Sequence, residues 1–415
     1  MNVLQVGNTD IVGRRFNGHD INLWLNAIGH HAFQCVWDKE GDGEQTWELT
    51  SRTPRRDKSH KRLREYELKR GLQSLLYPYS FKLMMDGRFW SADVVHYHLI
   101  HTGFFSLFAL PLLTKMKPSV WTLHDPWAMT GHCIYPFDCE RWKTGCGDCP
   151  RLSTPIAVEK DSTALMWKIK RQVYRNINAD IVVASKWMLN MVHESPLFAS
   201  VPRERIHHIP FGIDLGVFRP IDSQSARYKL GIKPDSIVIC FRSMVSEYKG
   251  LPYVIECLRK LETKQPICLL TFHDKDQLTQ LADRFQIIDL GWVNDQDLTV
   301  QAYNAADIFL MPSTAEAFGM MAIEAMACGK PVITFDGTSL PEVTFAPDGG
   351  ITVPQGDVSA LHFELQQLID CPEKRLQLGR NALELARRHY NFNDHAEKIL
   401  KLYEEVIARR KRKRA

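Results

Sequence analysis

Ten short apolar runs in two sets of five, each separated by helical patterns, limit the fold of this chain more than any other feature. The first half has Val3–Val6, Ala32–Trp37, Asp93–His98, Ser119–His124 and Asp180–Ala184. The second has Ser236–Phe241, Ile267–Phe272, Gln286–Leu290, Asp307–Met311 and Val332–Phe335. Continuous apolar runs read as strands buried on both faces, and strands alternating with helices make parallel sheets. Two such sets predict an α/β chain of two Rossmann-like, doubly wound domains. A chain of 415 residues is long enough for two cores. Two prolines and two glycines punctuate Ile209-Pro-Phe-Gly-Ile-Asp-Leu-Gly-Val-Phe-Arg-Pro220, which marks the boundary. Residues 1–210 form the first predicted domain and 211–390 the second. Residues 391–415 form a predicted C-terminal helix that crosses back toward the first domain and ends in a basic tail. Parallel sheets bind ligands at the carboxyl ends of their strands, so the residues just after each strand are where chemistry is expected.

One such stretch is Pro312-Ser-Thr-Ala-Glu316-Ala-Phe318-Gly319-Met-Met-Ala-Ile-Glu324-Ala-Met-Ala-Cys-Gly329-Lys-Pro331. It places Glu316 on a strand-to-helix loop, Phe318 and Gly319 at a helix start, and Glu324 on the helix. Unpaired amides and the partial positive charge of a helix N-terminus suit a phosphate, and carboxylates grip sugar hydroxyls. The block points to a nucleotide-diphosphate sugar. Arg242 follows another strand and Lys249 precedes Gly250 at the next helix; both cations suit the two phosphates, Arg by bidentate contact and Lys as a point charge. No Asp-x-Asp motif stands where a divalent metal would be expected to hold the diphosphate, so catalysis without metal is predicted.

In the first half, His124 ends a strand at the expected ligand-binding edge. His96 and His98 flank Tyr97, and alternation puts both on one face, as candidates for lining the cleft. Gly13 closes the loop after the first strand, where close backbone approach to donor or acceptor is expected.

Together, these stretches resemble the retaining glycosyltransferases of family 4. They include the Glu316/Glu324 block, His208-Ile-Pro-Phe-Gly-Ile-Asp214, Arg242 with Lys249-Gly250, and Gly291-Trp-Val293. Trp121-Thr-Leu-His124-Asp-Pro-Trp-Ala-Met-Thr-Gly-His-Cys133 with Cys139-Glu-Arg-Trp-Lys-Thr-Gly-Cys146-Gly-Asp-Cys149-Pro resembles, more narrowly, the colanic-acid-type exopolysaccharide and lipopolysaccharide enzymes. The resemblance implies the GT-B fold, two Rossmann-like domains facing across a cleft. It also implies transfer from a nucleotide-diphosphate sugar to a polyprenyl-linked saccharide. It assigns Glu316 to the donor sugar, Glu324 to the ribose, and His124 to the sugar side. The resemblance further implies a front-face mechanism, in which the leaving phosphate helps deprotonate the acceptor. The chain departs from the family in having Val12-Gly13 where a glycine pair is common, and in a longer gap from Arg242 to Lys249. A soluble transferase acting on a small metabolite, or an inactive sugar-nucleotide-binding subunit, are the alternatives.

Cys133, Cys139, Cys146 and Cys149 fall within 17 residues, and Cys146-x-x-Cys149 has the spacing of a metal half-site. With His132 as a spare ligand they suggest structural zinc. Disulfides, unbound thiols or an iron–sulfur cluster would use the same cysteines. The opening Met1–Gly7 reads as a strand and turn rather than a signal peptide, and Phe104–Met116 as a core helix too short to span a bilayer. A cytoplasmic protein with reduced cysteines is expected. A net charge of +4 does not imply nucleic acid. Nine cations between Arg52 and Arg70, with Leu68, Leu72, Leu75 and Leu76 at helical spacing, read as a basic amphipathic helix. With the tail Arg409–Arg414, it predicts peripheral association with the inner face of the plasma membrane.

Overall fold

The computed structural model describes residues 1–412 apart from 154, 155, 247 and 274. The chain divides into two compact units, Met1–Pro210 with the chain from Ala396 onward, and Phe211–His395.

The first unit is built on seven strands: β1 (Asn2–Thr9), β2 (His31–Asp38), β3 (Thr46–Glu48), β4 (Val94–His98), β5 (Ser119–Leu123), β6 (Asp180–Val183) and β7 (Ile206–His208). Their order is β3-β2-β1-β4-β5-β6-β7, and every pairing is parallel. The second unit has β8 (Ile237–Arg242), β9 (Ile267–Phe272), β10 (Gln286–Asp289), β11 (Ile308–Met311), β12 (Val332–Phe335) and β13 (Ile351–Val353), in the order β10-β9-β8-β11-β12-β13. It too is wholly parallel. The central strands are solvent-free, as their unbroken apolar runs require: Val238, Ile239, Cys240, Leu269 and Leu270 are each 0% exposed. The strands missed from the sequence, β3, β7 and β13, have three residues each and lie at sheet edges.

In each sheet the strand order reverses once, between β1 and β4 and between β8 and β11. Such switch points open a crevice beyond the strand ends. Arg242 ends β8 and Pro312–Glu316 follow β11, while the Gly13 loop follows β1 and His98 ends β4.

The helix Phe392–Arg412 begins in the second unit and from Ala396 belongs to the first, where Tyr403 is fully buried. Arg409 at its end forks onto Asp180 at 2.7 and 2.9 Å, joining Arg205 (3.0 Å) and His207 (2.9 Å) on that carboxylate. Lys413 and Arg414 of the basic tail lie outside the described residues.

The expected basic amphipathic helix takes a different form. The helix Pro54–Arg70 stops at Gly71, in the left-handed region at φ 66°, so Leu72, Leu75 and Leu76 are not on it. The buried Glu67 carboxylate accepts from the amides of Ser74, Leu75 and Leu76 at 2.7–2.9 Å and folds that segment inward. Leu75 is in the core. Arg56 is buried as well, bonded to Asp38 at 2.6 Å and stacked over Trp37 at 3.8 Å. Eight of the nine cations remain exposed, a charged surface without an apolar face to insert. No helix among the described residues is long and apolar enough to cross a membrane.

Candidate functional site

At the switch point of the second unit, two helices begin on glycines. Gly250 caps Leu251–Lys260 and Gly319 caps Met320–Ala327, both in the left-handed region at φ 80° and 101°. A Cβ on Gly250 would lie 2.0 Å from the Pro312 carbonyl oxygen, so only glycine permits this approach of the two loops. Thr314 N–H donates to the Tyr248 carbonyl at 3.0 Å and ties the same loops together. The result brings Lys249 to Glu316: Nζ meets Oε2 at 2.8 Å, with both side chains mostly buried. Arg242 is held below its ordinary value by burial, opposed by the charge of Glu316 nearby. Its guanidinium lies 5.6 Å from the centroid of the exposed Trp292 ring. Two cations, a carboxylate and two helix N-termini thus share one strand edge, an arrangement suited to a diphosphate and its attached hydroxyls.

Phe318 contributes only its backbone here. Its ring is buried between Phe211 and Tyr390, edge-on to both at 5.2 and 5.7 Å. Glu324 lies on the helix as expected, but it is 1% exposed and accepts from the Tyr303 hydroxyl at 2.9 Å. Tyr303 escaped the sequence reading because a lone tyrosine in an amphipathic helix carries no signal of its own. Asp295-x-Asp297 is a helix cap, Asp295 accepting from the Asp297 amide at 2.8 Å.

In the first unit, Gly13 has φ 75°, and a Cβ there would strike the Phe16 ring at 2.6 Å. Phe16 in turn packs 5.5 Å from the His124 ring. His124 follows β5, and burial draws it down to about 3, against the pull of Asp125, so it is neutral at ordinary pH. Asp125 is pushed up by burial, yet His101, 3.0 Å away, holds it below its usual value. His96 and His98 do share a face, their rings 4.0 Å apart. Neither is exposed to a cleft, since each is 1% accessible. His96 bonds Tyr403 hydroxyl and Thr122 Oγ1, both at 2.7 Å. His98 bonds Gln5 Oε1 at 2.9 Å and His124 Nε2 at 3.2 Å. Gln5 Nε2 donates to Tyr403 at 3.0 Å and closes a polar chain from the C-terminal helix to His124. His96 is therefore a core residue, and His98 orients His124 from behind.

Cys133, Cys139, Cys146 and Cys149 are free thiols, and all four line one cavity with His132. Among the described residues no three His, Cys, Asp or Glu side chains are already gathered as a ligand set. Burial pushes Cys133 up to about 12 and Cys146 up to about 11, which makes them poor nucleophiles as thiols.

Residues 42–217 match the model of Glycosyltransferase Family 4, and residues 222–385 that of Glycosyl transferases group 1. A D-inositol 3-phosphate glycosyltransferase of Segniliparus rotundus is 27% identical over 226 residues, 52% of this chain and 50% of that protein. The chain thus spans about half the length of that curated relative. WcaC of Escherichia coli K12, named for colanic acid biosynthesis glycosyl transfer, is 26% identical over 325 residues, 75% of this chain and 76% of its own. The structure of Anabaena Alr3699/HepE in complex with UDP and glucose superposes with a TM-score of 0.67 at 16% identity, over 98% of this chain and 100% of that one, a likeness of fold. A Family 4 segment covers β3–β7 of the first sheet and a group 1 segment the whole of the second, so the chain belongs to the glycosyltransferases, with the GT-B fold.

Proposed function

We propose that the protein moves a sugar from a nucleotide-diphosphate sugar to a saccharide acceptor, with retention at the anomeric carbon and without a catalytic metal. The observation that carries this reading is the Lys249–Glu316 pair set at two glycine-capped helix starts, with Arg242 in electrostatic reach. Bond cleavage leaves positive charge on the sugar and negative charge on the diphosphate, and fixed charges aimed at both are the largest source of rate. Arg242, Lys249 and the amides of Phe318 and Gly319 would take the phosphates. Glu316 would take donor-sugar hydroxyls, and Glu324 would take the ribose hydroxyls by turning from Tyr303 out of its buried position. In the first domain the neutral His124 and the Gly13 loop offer hydrogen-bonding groups at that domain's own switch point. Arg242 and Lys249 would supply at the diphosphate the positive charge that a divalent ion otherwise brings. The leaving phosphate oxygen can accept the acceptor's proton on the same face.

The test is NMR of the first sugar released from a set of nucleotide-diphosphate sugars, with and without EDTA. The expected result is release of the donor's own anomer at an unchanged rate in EDTA. Release of the opposite anomer, or loss of turnover in EDTA, would refute the retaining or the metal-free part respectively.

The name of WcaC supports a saccharide of colanic acid type as acceptor; we take it to be lipid-linked, since the eight exposed cations near residues 52–70 suit an anionic surface. The inositol phosphate relatives favour a second reading, a small phosphorylated acceptor in solution. Co-sedimentation with anionic vesicles separates the two: binding supports the first, and its absence the second.

A further inference from the structure

The cavity lined by the four cysteines measures about 20 Å³, the scale of one water or one ion. Its walls are not those of an ordinary apolar void. His132 lines it and is 2% exposed; its Nε2 lies 2.6 Å from the Ile156 carbonyl, an atom that only accepts. The ring proton is therefore on Nε2, and Nδ1 carries a lone pair. That Nδ1 is buried and has no hydrogen-bond partner. A buried histidine that lines a cavity, donates one ring N–H to a backbone carbonyl and leaves its other nitrogen unpartnered has the usual arrangement of a metal ligand.

The Cys146-x-x-Cys149 turn points the same way. Gly145, Cys146, Gly147 and Asp148 all have positive φ, at 139°, 55°, 93° and 46°. Two of the four are not glycine, a cost kept only where surroundings impose it. Gly131 N–H donates to Cys146 Sγ at 3.2 Å. Amides aimed at sulfur stabilise a thiolate rather than a thiol.

Lys170 supplies the third observation. Its side chain is wholly buried, with Nζ on the carbonyls of Trp127 at 2.6 Å and Thr130 at 3.0 Å, over the Trp127 ring. No carboxylate among the described residues lies within ion-pair distance of it. Thr130, whose carbonyl Lys170 holds, donates its own hydroxyl to the Cys133 carbonyl at 2.6 Å, which sets this amine beside the cysteine loop. Thiolates around a divalent ion carry net negative charge and would give this ammonium its missing counter-charge.

We propose that this cavity is a structural zinc site, built on Cys146 and Cys149 with the remaining two donors drawn from Cys133, Cys139 and His132. Zinc favours four such ligands, and its binding requires the sulfurs to close on the cavity they share. The ion would fasten residues 131–149 to the helix Thr163–Tyr174, where Thr163 Oγ1 already accepts from Gly147 N–H at 2.9 Å. Through Lys170 it would brace the loop Asp125–Thr130 that follows His124. It stands apart from the proposed transfer chemistry and survives if that reading fails.

The experiment is metal analysis of the full chain purified under reducing conditions without chelator. About one zinc per chain is expected, retained on desalting. The double variant Cys146→Ser/Cys149→Ser should lose it about tenfold, while Cys371→Ser, outside the cavity, should keep it. Should the double variant fail to fold, titrating the wild type with a mercurial reagent in the presence of a chromogenic chelator reads the same site. One equivalent of zinc should then appear as the cluster's thiols are modified. Zinc below a tenth of an equivalent after dialysis against the ion, iron with visible absorbance in its place, or a Cys146–Cys149 disulfide would each overturn the proposal.

Discussion

Lys249→Ala is expected to slow donor cleavage by about 10²- to 10³-fold, the usual cost of removing one fixed charge aimed at a leaving group. The melting temperature should scarcely move. Lys249 and Glu316 are 18% and 15% exposed, and their pair at 2.8 Å lies in a crevice rather than inside the core. Loss of the ammonium leaves a carboxylate that water can reach. The variant therefore separates catalysis from folding. Lys249→Arg should recover part of the rate, because the charge returns with different geometry. A rate within about threefold of wild type in the alanine variant would remove Lys249 from the chemistry and with it the site as drawn.

The largest effect on stability is expected at Asp180, far from that chemistry. Its carboxylate is 0% exposed and holds Arg205, His207 and Arg409. Replacement by Asn leaves Arg205 and Arg409 without their shared anion, which typically costs about 3–5 kcal/mol when one member of a buried pair is removed. Because Arg409 comes from the C-terminal helix, the loss should also free that helix, and limited proteolysis should cut it first. The pH dependence has a definite sign. Burial pushes Asp180 up, but hydrogen bonds from His207 and Arg409 and the charge of Arg205 outweigh it and hold the group at about 2, below its ordinary 3.8. A depressed carboxylate adds stability that is complete above its unfolded value and is lost as the pH falls through the folded one. Asp180 should thus supply about 2 kcal/mol at neutral pH that disappears between roughly pH 4 and pH 2. The stability difference between wild type and Asp180→Asn should shrink by about 2 kcal/mol in acid melts over that window. A constant difference down to pH 2 would contradict the assignment.

Much of the fold was legible because parallel sheets write themselves as apolar runs separated by helices. The turn residues were legible too: Gly250, Gly319 and Gly329 stand where the backbone enters the left-handed region. What remained hidden was decided by distant partners. Alternation put His96 and His98 on one face, but not that Tyr403, 307 positions along the chain from His96, would occupy that face. Leucines 72, 75 and 76 kept a helical spacing past Arg70, yet Gly71 and the inward Glu67 carboxylate ended the helix. The buried Arg56 looked like its eight exposed neighbours because a cation's partners, here Asp38 and Trp37, do not show in its own segment. Lys170 was missed for the same reason.

The most direct test of the central claim is the thermal shift of the purified protein with UDP, GDP, ADP and CMP, run in parallel on Lys249→Ala. At about a hundredfold excess over Kd, a ligand of the folded state should raise Tm by roughly 5 °C or more. Such a shift is expected with one nucleoside diphosphate, little with CMP, which has a single phosphate, and a clearly smaller one in the variant. No shift with any diphosphate, or an equal shift in Lys249→Ala, would contradict a donor site at Arg242, Lys249 and Glu316.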